Sequence, residues 1–289
     1  KLILFFLSII IIFYILSPAY WDNPLEVING LKSMSQHIQT VCTVTLGECM
    51  KAQNLPSSYL PIWFFFKLPI IVILGLIFLI FKEKSFFHLT RNSLFVAPII
   101  VSTLLIIFLL ILLNVNLYDE LRQVMFLIPL LFIISLSAIF ILTKKVSYTL
   151  ISVFVIFFIF QNIKIYPYNY VWLNNFTNFI KISDNFELDY WGVSSKKIAL
   201  IFNEKNMKSN ECIISNRNRG IEDFIINEDV CFLPFQSLHK KNIRPFYVAL
   251  MERSTKKGLP NNCERIHSEE IKMNFSRESL VLAKVFKCN

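Results

Sequence analysis

The sequence predicts a polytopic α-helical membrane protein with about five transmembrane helices and a C-terminal extracytoplasmic domain of small α/β type. Three observations lead to this prediction. The chain of 289 residues is 55% hydrophobic and has a mean hydropathy of +0.54, which is high for a protein whose whole surface meets water. It contains five apolar runs that are poor in charged residues. After residue 163, charged residues return and the apolar stretches become short.

The five apolar runs have about the length that a bilayer requires, because about 20 helical residues span a hydrocarbon core of about 30 Å. They predict helices at about residues 2–16, 63–81, 93–114, 124–142 and 146–163, within a transmembrane region at 1–163 that precedes an α/β domain at 164–289. The first run is short and follows Lys1, so a secretory signal peptide is the alternative for it. A chain that opens inside an apolar run also resembles the later part of a longer protein.

Charges in the loops predict which side of the membrane each segment faces, since cytoplasmic loops carry an excess of Lys and Arg. The loop at 81–92 holds three basic residues and one acidic residue, and the loop at 143–146 holds two lysines. Both loops are therefore predicted to be cytoplasmic. Residues 17–62, 115–123 and 164–289 are then predicted to face a periplasm or lumen.

The cysteines give an independent indication of the same topology. All six fall in segments that the loop charges place outside, namely Cys42, Cys49, Cys212, Cys231, Cys263 and Cys288. Disulfides persist in oxidising compartments, so the cysteines predict disulfide bonds. Their pairing stays open, because four cysteines in the terminal domain allow three combinations. Metal binding is the alternative, and the lack of Cys-x-x-Cys or paired-His spacing weighs against it.

The terminal domain is predicted to mix a helix with strands. The helix lies at 194–205, and the strands lie at 211–215, 230–235, 244–253 and 279–288. No Gly-rich phosphate loop, Gly-x-Ser-x-Gly elbow or His-Glu-x-x-His motif occurs in this part of the sequence. The domain is therefore interpreted as a capping or acceptor-recognition domain. The net charge of +9 does not indicate nucleic-acid binding, because the basic residues of this domain alternate with acidic ones.

Aromatic and proline residues cluster where the predicted outer loops meet the helices. The segments are SPAYWDNP at 17–24, LPSSYLPIWFFFKLP at 55–69 and YPYNYVWLNNF at 166–176. Each segment alone is typical of the aromatic belt at a membrane surface, where Trp and Tyr are enriched.

Taken in order, these segments and two others resemble the later half of GT-C glycosyltransferases of the family-39-like type, which includes protein mannosyltransferases and aminoarabinose transferases. Five motifs carry the resemblance, and their matching residues are Pro18, Trp21 and Pro24; Leu55, Pro56, Tyr59, Pro61, Trp63, Lys67 and Pro69; Tyr118, Asp119, Arg122, Phe126 and Pro129; Pro167, Tyr168, Tyr170, Val171 and Asn174; and Glu187, Asp189, Tyr190, Trp191 and Gly192. Two positions depart from the family pattern. Glu120 stands where the pattern has Gly, and Gln123 stands where it has His, so the resemblance leaves the family's tight turn and the role of its imidazole open.

The resemblance implies the transfer of a sugar from a polyprenyl-phosphate carrier to an acceptor on the extracytoplasmic face. The partners it implies are a polyprenyl-phosphate-linked sugar and membrane lipids, with no nucleic acid. Lys67 and Arg122 are the candidate cations for the donor phosphate, which lies at headgroup depth. The alternatives are that Lys67 extends along its helix to the interface and that Arg122 pairs locally with Asp119 or Glu120.

The other candidate substrate-binding residues are Tyr118, Asp119, Glu187, Asp189 and Trp191. Asp119 either positions an acceptor hydroxyl or holds Arg122 in place. The acidic and aromatic cluster at 187–191 either contacts a sugar or docks the outer domain onto the helices. No cofactor is predicted, although paired carboxylates leave a divalent metal open.

No catalytic residue is assigned within the chain. Enzymes of the family place their catalytic carboxylate in the first outer loop, which is expected upstream of Lys1, so these residues alone are expected to be inactive. A non-enzymatic, membrane-anchored protein whose outer domain binds a partner is the alternative function. A transporter is a weaker alternative, because charged or broken midspan helices are scarce.

Overall fold

The computed structural model describes residues 11–12, 14–23, 25–35, 42–82, 86, 96–205, 207, 211–239, 246–251, 262–272 and 279–288. The helices in these ranges are α1 (Glu26–Ser35), α2 (Tyr59–Lys67), α3 (Ile70–Phe81), α4 (Val96–Leu112), α5 (Leu127–Ile139), α6 (Lys144–Ile165), α7 (Ile182–Asn185), α8 (Ser194–Glu204) and α9 (Asn218–Glu222). The strands are β1 (Cys42–Thr45), β2 (Glu48–Lys51), β3 (Cys212–Ser215), β4 (Cys231–Leu233), β5 (Phe246–Met251), β6 (Cys263–Lys272) and β7 (Ser279–Cys288).

The prediction of about five transmembrane helices is wrong, and with it the prediction of a polytopic, multi-pass membrane protein. Among the described residues, α6 is the one helix long and apolar enough to cross a membrane, or there are two such spans if α2 and α3 count as one. With 17 and 13 residues, α4 and α5 are shorter than the roughly 20 residues that a bilayer requires. Residues 2–10 and 13 of the first predicted helix, and most of the predicted loop at 81–92, lie outside the described residues.

A proline divides the second predicted helix into α2 and α3. Leu68 has an extended backbone, with φ −79° and ψ 139°, which is the conformation that a residue before proline favours. The chain resumes as α3 after Pro69, and the helix direction bends by 119° between α2 and α3. The apolar run is continuous across this break, so hydropathy alone did not reveal it.

The C-terminal part contains a five-stranded sheet in the order β4-β3-β5-β7-β6. The first three strands are parallel, and β7 and β6 are antiparallel to their neighbours. One row of register partners crosses all five strands and consists of Cys231, Cys212, Phe246, Cys288 and Cys263. Four of these strands and α8 coincide with the elements expected from the sequence, whereas β6 was not expected.

Helix α8 covers one face of this sheet with its apolar side. Ile198 and Phe202, four positions apart, are buried in one cluster with Tyr247 of β5 and Val285 of β7. Residues at this spacing lie on one face of a helix. The rings of Phe202 and Tyr247 meet edge to face with centroids 5.6 Å apart, so the helix is held at a fixed position on the sheet.

Strands β1 and β2 form a separate hairpin that packs against α2. Its two-residue turn consists of Leu46 and Gly47, with φ 49° and 83°, as the hairpin turn of type I′ requires. The indole N–H of Trp63 donates to the Thr45 hydroxyl at 3.0 Å. This bond ties the hairpin to the helix that carries Lys67.

The predicted disulfides are confirmed. They join Cys42 to Cys49, Cys212 to Cys231 and Cys263 to Cys288. All six cysteines of the chain are therefore used, which excludes metal binding by them. Three disulfides in one chain indicate an oxidising, extracytoplasmic environment.

The segment between α6 and α8 continues the core of the helical part. Ile165, Trp172 and Leu188 are buried in one cluster with residues of α2, α3 and α5, and Leu280 of β7 joins the same cluster. The composition changes near residue 163, but the packed core runs across that position. The domain boundary drawn there stays a prediction.

Helices α3 and α5 approach each other closely at Gly75. A Cβ at this position would lie 2.1 Å from the Ser135 hydroxyl oxygen and 2.5 Å from the Ser135 carbonyl oxygen. We predict that Gly75→Ala forces the helices apart and lowers the free energy of unfolding by about 1–3 kcal/mol, as overpacking does. Thermal or denaturant unfolding of the purified full-length protein measures this change.

Gly30→Ala in α1 is the matched control. A Cβ at that position would meet the Tyr20 hydroxyl at an ordinary 3.5 Å, and Ala favours a helix over Gly by about 1 kcal/mol. The control variant should therefore be at least as stable as the wild type. Equal stability of the two variants would show that α3 and α5 do not pack as described.

Candidate substrate-binding site

The segment YDELRQV at 118–124 forms a strained turn between α4 and α5. Asp119 and Glu120 both have left-handed backbones, with φ 54° and 65°, a conformation that costs a residue other than glycine about 1–2 kcal/mol. The N–H of Asp119 donates to the Thr43 hydroxyl at 3.0 Å, and the N–H of Tyr118 donates to the Gln123 side chain at 3.0 Å. These two hydrogen bonds hold the turn in its strained conformation.

Glu120 forms a buried ion pair with Lys67. The Lys67 ammonium lies 2.5 Å from the Glu120 carboxylate, and both side chains are almost completely buried. The same ammonium donates to the carbonyl oxygen of Tyr170 at 2.6 Å. The hydroxyl of Tyr59 donates to the Glu120 carbonyl at 3.2 Å. Lys67 is thus held inside the protein, and neither it nor Glu120 is placed to meet a ligand at the surface.

Burial changes the acidity of Glu120. Removal of the carboxyl from water raises its pKa to about 7, even though the Lys67 ammonium and its hydrogen bond act in the opposite direction. Desolvation disfavours the charged form of an acid, so the Glu120 carboxyl loses its proton and becomes the anionic partner of Lys67 only near neutral pH.

Arg122 and Trp191 form the part of the site that faces solvent. The Arg122 guanidinium lies over the Trp191 indole at 4.4 Å from the ring centroid, and it is 3.3 Å from the Asp119 carboxylate. The Arg122 side chain is 43% exposed, and Trp191 is 50% exposed. A guanidinium has five N–H donors, so contact with Asp119 leaves others for a ligand. The local pairing of Arg122 with Asp119, which the sequence left as an alternative, is present in the structure.

Asp189 is fully buried and holds structural elements together. Its carboxylate accepts hydrogen bonds from the N–H groups of Val193 at 2.9 Å and Ser194 at 3.2 Å, at the start of α8. The hydroxyls of Tyr170 and Ser194 donate to the same carboxylate. These contacts match the docking role, since an acid at a helix start satisfies backbone donors that have no partner within the helix.

Glu187 contacts strand β1 through its backbone. Its side chain is buried, and its backbone N–H donates to the carbonyl of Val44 in β1 at 3.1 Å. Tyr118 contributes the backbone bond to Gln123 described above. Of the seven candidate residues, the structure therefore brings Arg122 and Trp191 together at the surface, where the buried carboxylate of Asp119 contacts Arg122. Lys67 is held in the interior behind the same turn.

Two residues that build the site were missed by the sequence analysis. Glu120 was read as a departure from the family pattern and as a possible partner of Arg122, whereas it adopts a left-handed backbone and pairs with Lys67. Tyr170 was read within an aromatic segment, whereas it contacts Lys67 through its carbonyl and Asp189 through its hydroxyl. A charge at a position where a turn favours Gly was the available signal for Glu120.

Comparison of the chain with known proteins supplies no relative. No family model, no curated protein and no solved structure matches it. Among the described residues, no cluster of three or more His, Cys, Asp or Glu side chains has the arrangement of a metal site.

The raised pKa of Glu120 leads to a prediction about stability and pH. Because the pKa of about 7 in the folded protein lies above the ordinary 4.5, the folded protein keeps a proton that the unfolded chain releases. The stability that this proton provides is complete below about pH 4.5 and is lost as the pH rises through about 7. We predict that the difference in free energy of unfolding between Glu120→Gln and the wild type shifts by about 3 kcal/mol in favour of the variant as the pH rises from 4.5 to 8.

Unfolding of the wild type and of Glu120→Gln by denaturant, at intervals over this pH range, measures the change. The difference between the two proteins is the informative quantity, because it cancels the titration of other groups. A difference that stays constant with pH would contradict the raised pKa.

Proposed function

We propose that the chain is part of a glycosyltransferase that moves a sugar from a polyprenyl-phosphate carrier to an acceptor on the extracytoplasmic face of a membrane. The observation that carries the proposal is the exposed Arg122–Trp191 pair above the buried Lys67–Glu120 pair. The guanidinium meets the donor phosphate, and the indole meets the apolar face of the sugar. The sequence resemblance described above supports the same assignment.

The chemistry of the reaction explains why a fixed guanidinium is useful. The bond between the anomeric carbon and the phosphate oxygen breaks, the anomeric carbon bonds to the acceptor oxygen, and the acceptor loses a proton. The carrier leaves as a polyprenyl phosphate with an additional negative charge. A hydrogen-bond donor that is already positioned at that phosphate stabilises the developing charge. An Arg can do so with two parallel hydrogen bonds.

Lys67 has a different role in this proposal from the one the sequence suggested. Its ammonium is occupied by Glu120 and by the Tyr170 carbonyl, so it positions the turn and does not contact the phosphate. That turn also fixes Asp119, which holds Arg122. Asp189 and Glu187 support the site from the interior, and none of these residues is assigned a catalytic role.

The position of the site next to a membrane is proposed from α6. This helix of 22 residues is apolar, and little of it is buried by the rest of the described chain. Ile156 and Ile163 are 67% and 69% exposed. Apolar surface of this extent is unfavourable in water, and contact with membrane hydrocarbon removes it. The lipid chain of a polyprenyl-phosphate donor lies in the same hydrocarbon.

Removal of the Arg122 side chain tests the proposal directly. We predict that Arg122→Ala weakens binding of a polyprenyl phosphate by about tenfold to a hundredfold, because a charge-assisted hydrogen bond is lost. Trp191→Ala should reduce the rate of sugar transfer, whereas Trp191→Phe should keep most of it. Equilibrium binding and transfer from a lipid-linked donor, both with the full-length protein, measure these effects.

Arg219→Ala is the matched control, since it removes the same charge from an exposed position on α9. It should bind the polyprenyl phosphate as tightly as the wild type does. If Arg122→Ala and the control bind alike, the assignment of the donor site is wrong. Such a result would favour the alternative of a non-enzymatic protein whose outer domain binds a partner.

A further inference from the structure

A cleft lies next in the chain to the Arg122–Trp191 pair. This cleft has a volume of about 1190 Å³ and lies between the end of α6, the start of α8 and strand β6. Gly192 lines it directly after Trp191 in the chain, so one short segment separates the cleft from the candidate donor site. Cavities of roughly 300–1,000 Å³ are typical of small-molecule sites, and this cleft is slightly larger.

The charges around the cleft are unbalanced in favour of cations. Its lining contains four lysines and two glutamates, namely Lys164, Lys196, Lys197, Lys272, Glu269 and Glu270. They come from three different elements of the fold, so their convergence is not a consequence of sequence proximity. An excess of positive charge around a concave surface concentrates anions there.

One of the four lysines is already neutralised. The Lys197 ammonium lies 2.8 Å from the buried Glu269 carboxylate, and the Tyr168 hydroxyl donates to the same carboxylate at 3.2 Å. This cluster closes one wall of the cleft by joining α8 to β6. Its role is structural, and any attraction of anions into the cleft comes from the other three lysines.

The other three lysines are not neutralised by any residue that the structure describes. Within the described part of the chain, Lys164, Lys196 and Lys272 form no ion pair. Lys164 lies 4.6 Å from the ring centroid of Phe160, and Lys196 lies 5.5 Å from that of Phe224. Contact with an aromatic face restricts an ammonium without neutralising it.

The rest of the lining is suited to an amphiphile. Tyr166, Val193, Leu200 and Phe224 line the cleft and are partly or largely exposed. Lys164 stands in the last turn of α6, whose outer surface is apolar. A ligand with an anionic head in the cleft therefore has apolar surface beside it, leading onto the helix that we place in a membrane.

We propose that the cleft binds a phosphate ester, with Lys164, Lys196 and Lys272 as the cations that meet it. Lysine ammonium groups act as point charges that suit phosphate, and three of them match a group with up to two negative charges. The phosphate ester belongs either to a lipid headgroup or to a soluble phosphorylated sugar. The cleft is a site separate from Arg122, and the proposal holds whether or not the sugar transfer proposed above takes place.

The test uses the detergent-solubilised full-length protein and direct calorimetric titration. The probes are dihexanoyl phosphatidic acid and glycerol 3-phosphate, with dihexanoyl phosphatidylcholine as the zwitterionic comparison. We expect saturable binding of the first two. The triple variant Lys164→Ala, Lys196→Ala, Lys272→Ala should lose at least about tenfold in affinity, because each lysine near a phosphate contributes.

A second triple variant controls for net charge. Lys51→Ala, Lys145→Ala and Lys205→Ala remove three exposed lysines that do not line the cleft, and they should leave the affinity unchanged. Glu270→Gln provides a gain of affinity, about twofold or more, because it removes a negative charge from the cleft wall. A gain cannot result from misfolding, so this variant keeps the test informative if the lysine variants are unstable.

The outcomes separate the two sources of the phosphate and the two proposals. Tighter binding of phosphatidic acid than of glycerol 3-phosphate assigns the cleft to a lipid, and equal binding assigns it to a soluble phosphate ester. The triple lysine variant should lose the same affinity when it is combined with Arg122→Ala, which separates this site from the donor site. Absence of saturable binding, or equal losses in the two triple variants, would overturn the proposal.

Discussion

The buried ion pair between Lys67 and Glu120 is the interaction on which the rest of the site depends. It joins the end of α2 to the turn before α5, and through the Tyr170 carbonyl it also joins the segment that follows α6. Two charges buried together are tolerated only when their geometry and additional hydrogen bonds offset the loss of water, and removal of one partner leaves the other uncompensated. The left-handed backbone of the turn is maintained by contacts from two distant parts of the chain, α2 through Lys67 and Tyr59 and β1 through Thr43. Arg122 and Trp191 meet at the surface because this interior arrangement fixes both of their segments.

The sequence predicted some elements of the fold and missed others for identifiable physical reasons. Apolar composition located α6 and the positions of α3, α4 and α5, because burial from water is encoded directly in hydropathy. It did not reveal the break at Pro69, since a bend changes direction without changing hydrophobicity. Strand β6 was missed because its sequence CERIHSEEIK is largely polar, as an edge strand with one solvent-exposed face can be. The number of membrane-spanning helices was wrong because apolar runs were counted without their breaks and helix lengths.

The candidate site was predicted in part. Arg122 and Trp191 were both named from motifs, and the structure brings them into contact although they are far apart in the chain. Asp189 was named for the same reason, but its carboxylate is satisfied by α8 and Tyr170, a role that depends on where a helix begins. The partner of Lys67 was not predicted, because a contact between distant charges follows from the fold and leaves no local pattern. The lysines of the cleft were not predicted either, because they come from three elements that only the packed structure brings together.

The row of register partners across the five-stranded sheet has a consequence for how the sheet is assembled. Cys231 and Cys263 lie on the two outer strands, and each is bonded to a cysteine on the strand next to it in the same row. Each outer strand is thus joined to its neighbour by a disulfide in the same register row, and Phe246 of the central strand lies between the two disulfides. A slip of one residue at either border would move a cysteine away from its partner, so oxidation selects a single alignment. The same bonds prevent an outer strand from leaving to pair with another molecule, which is the usual hazard of an open sheet border.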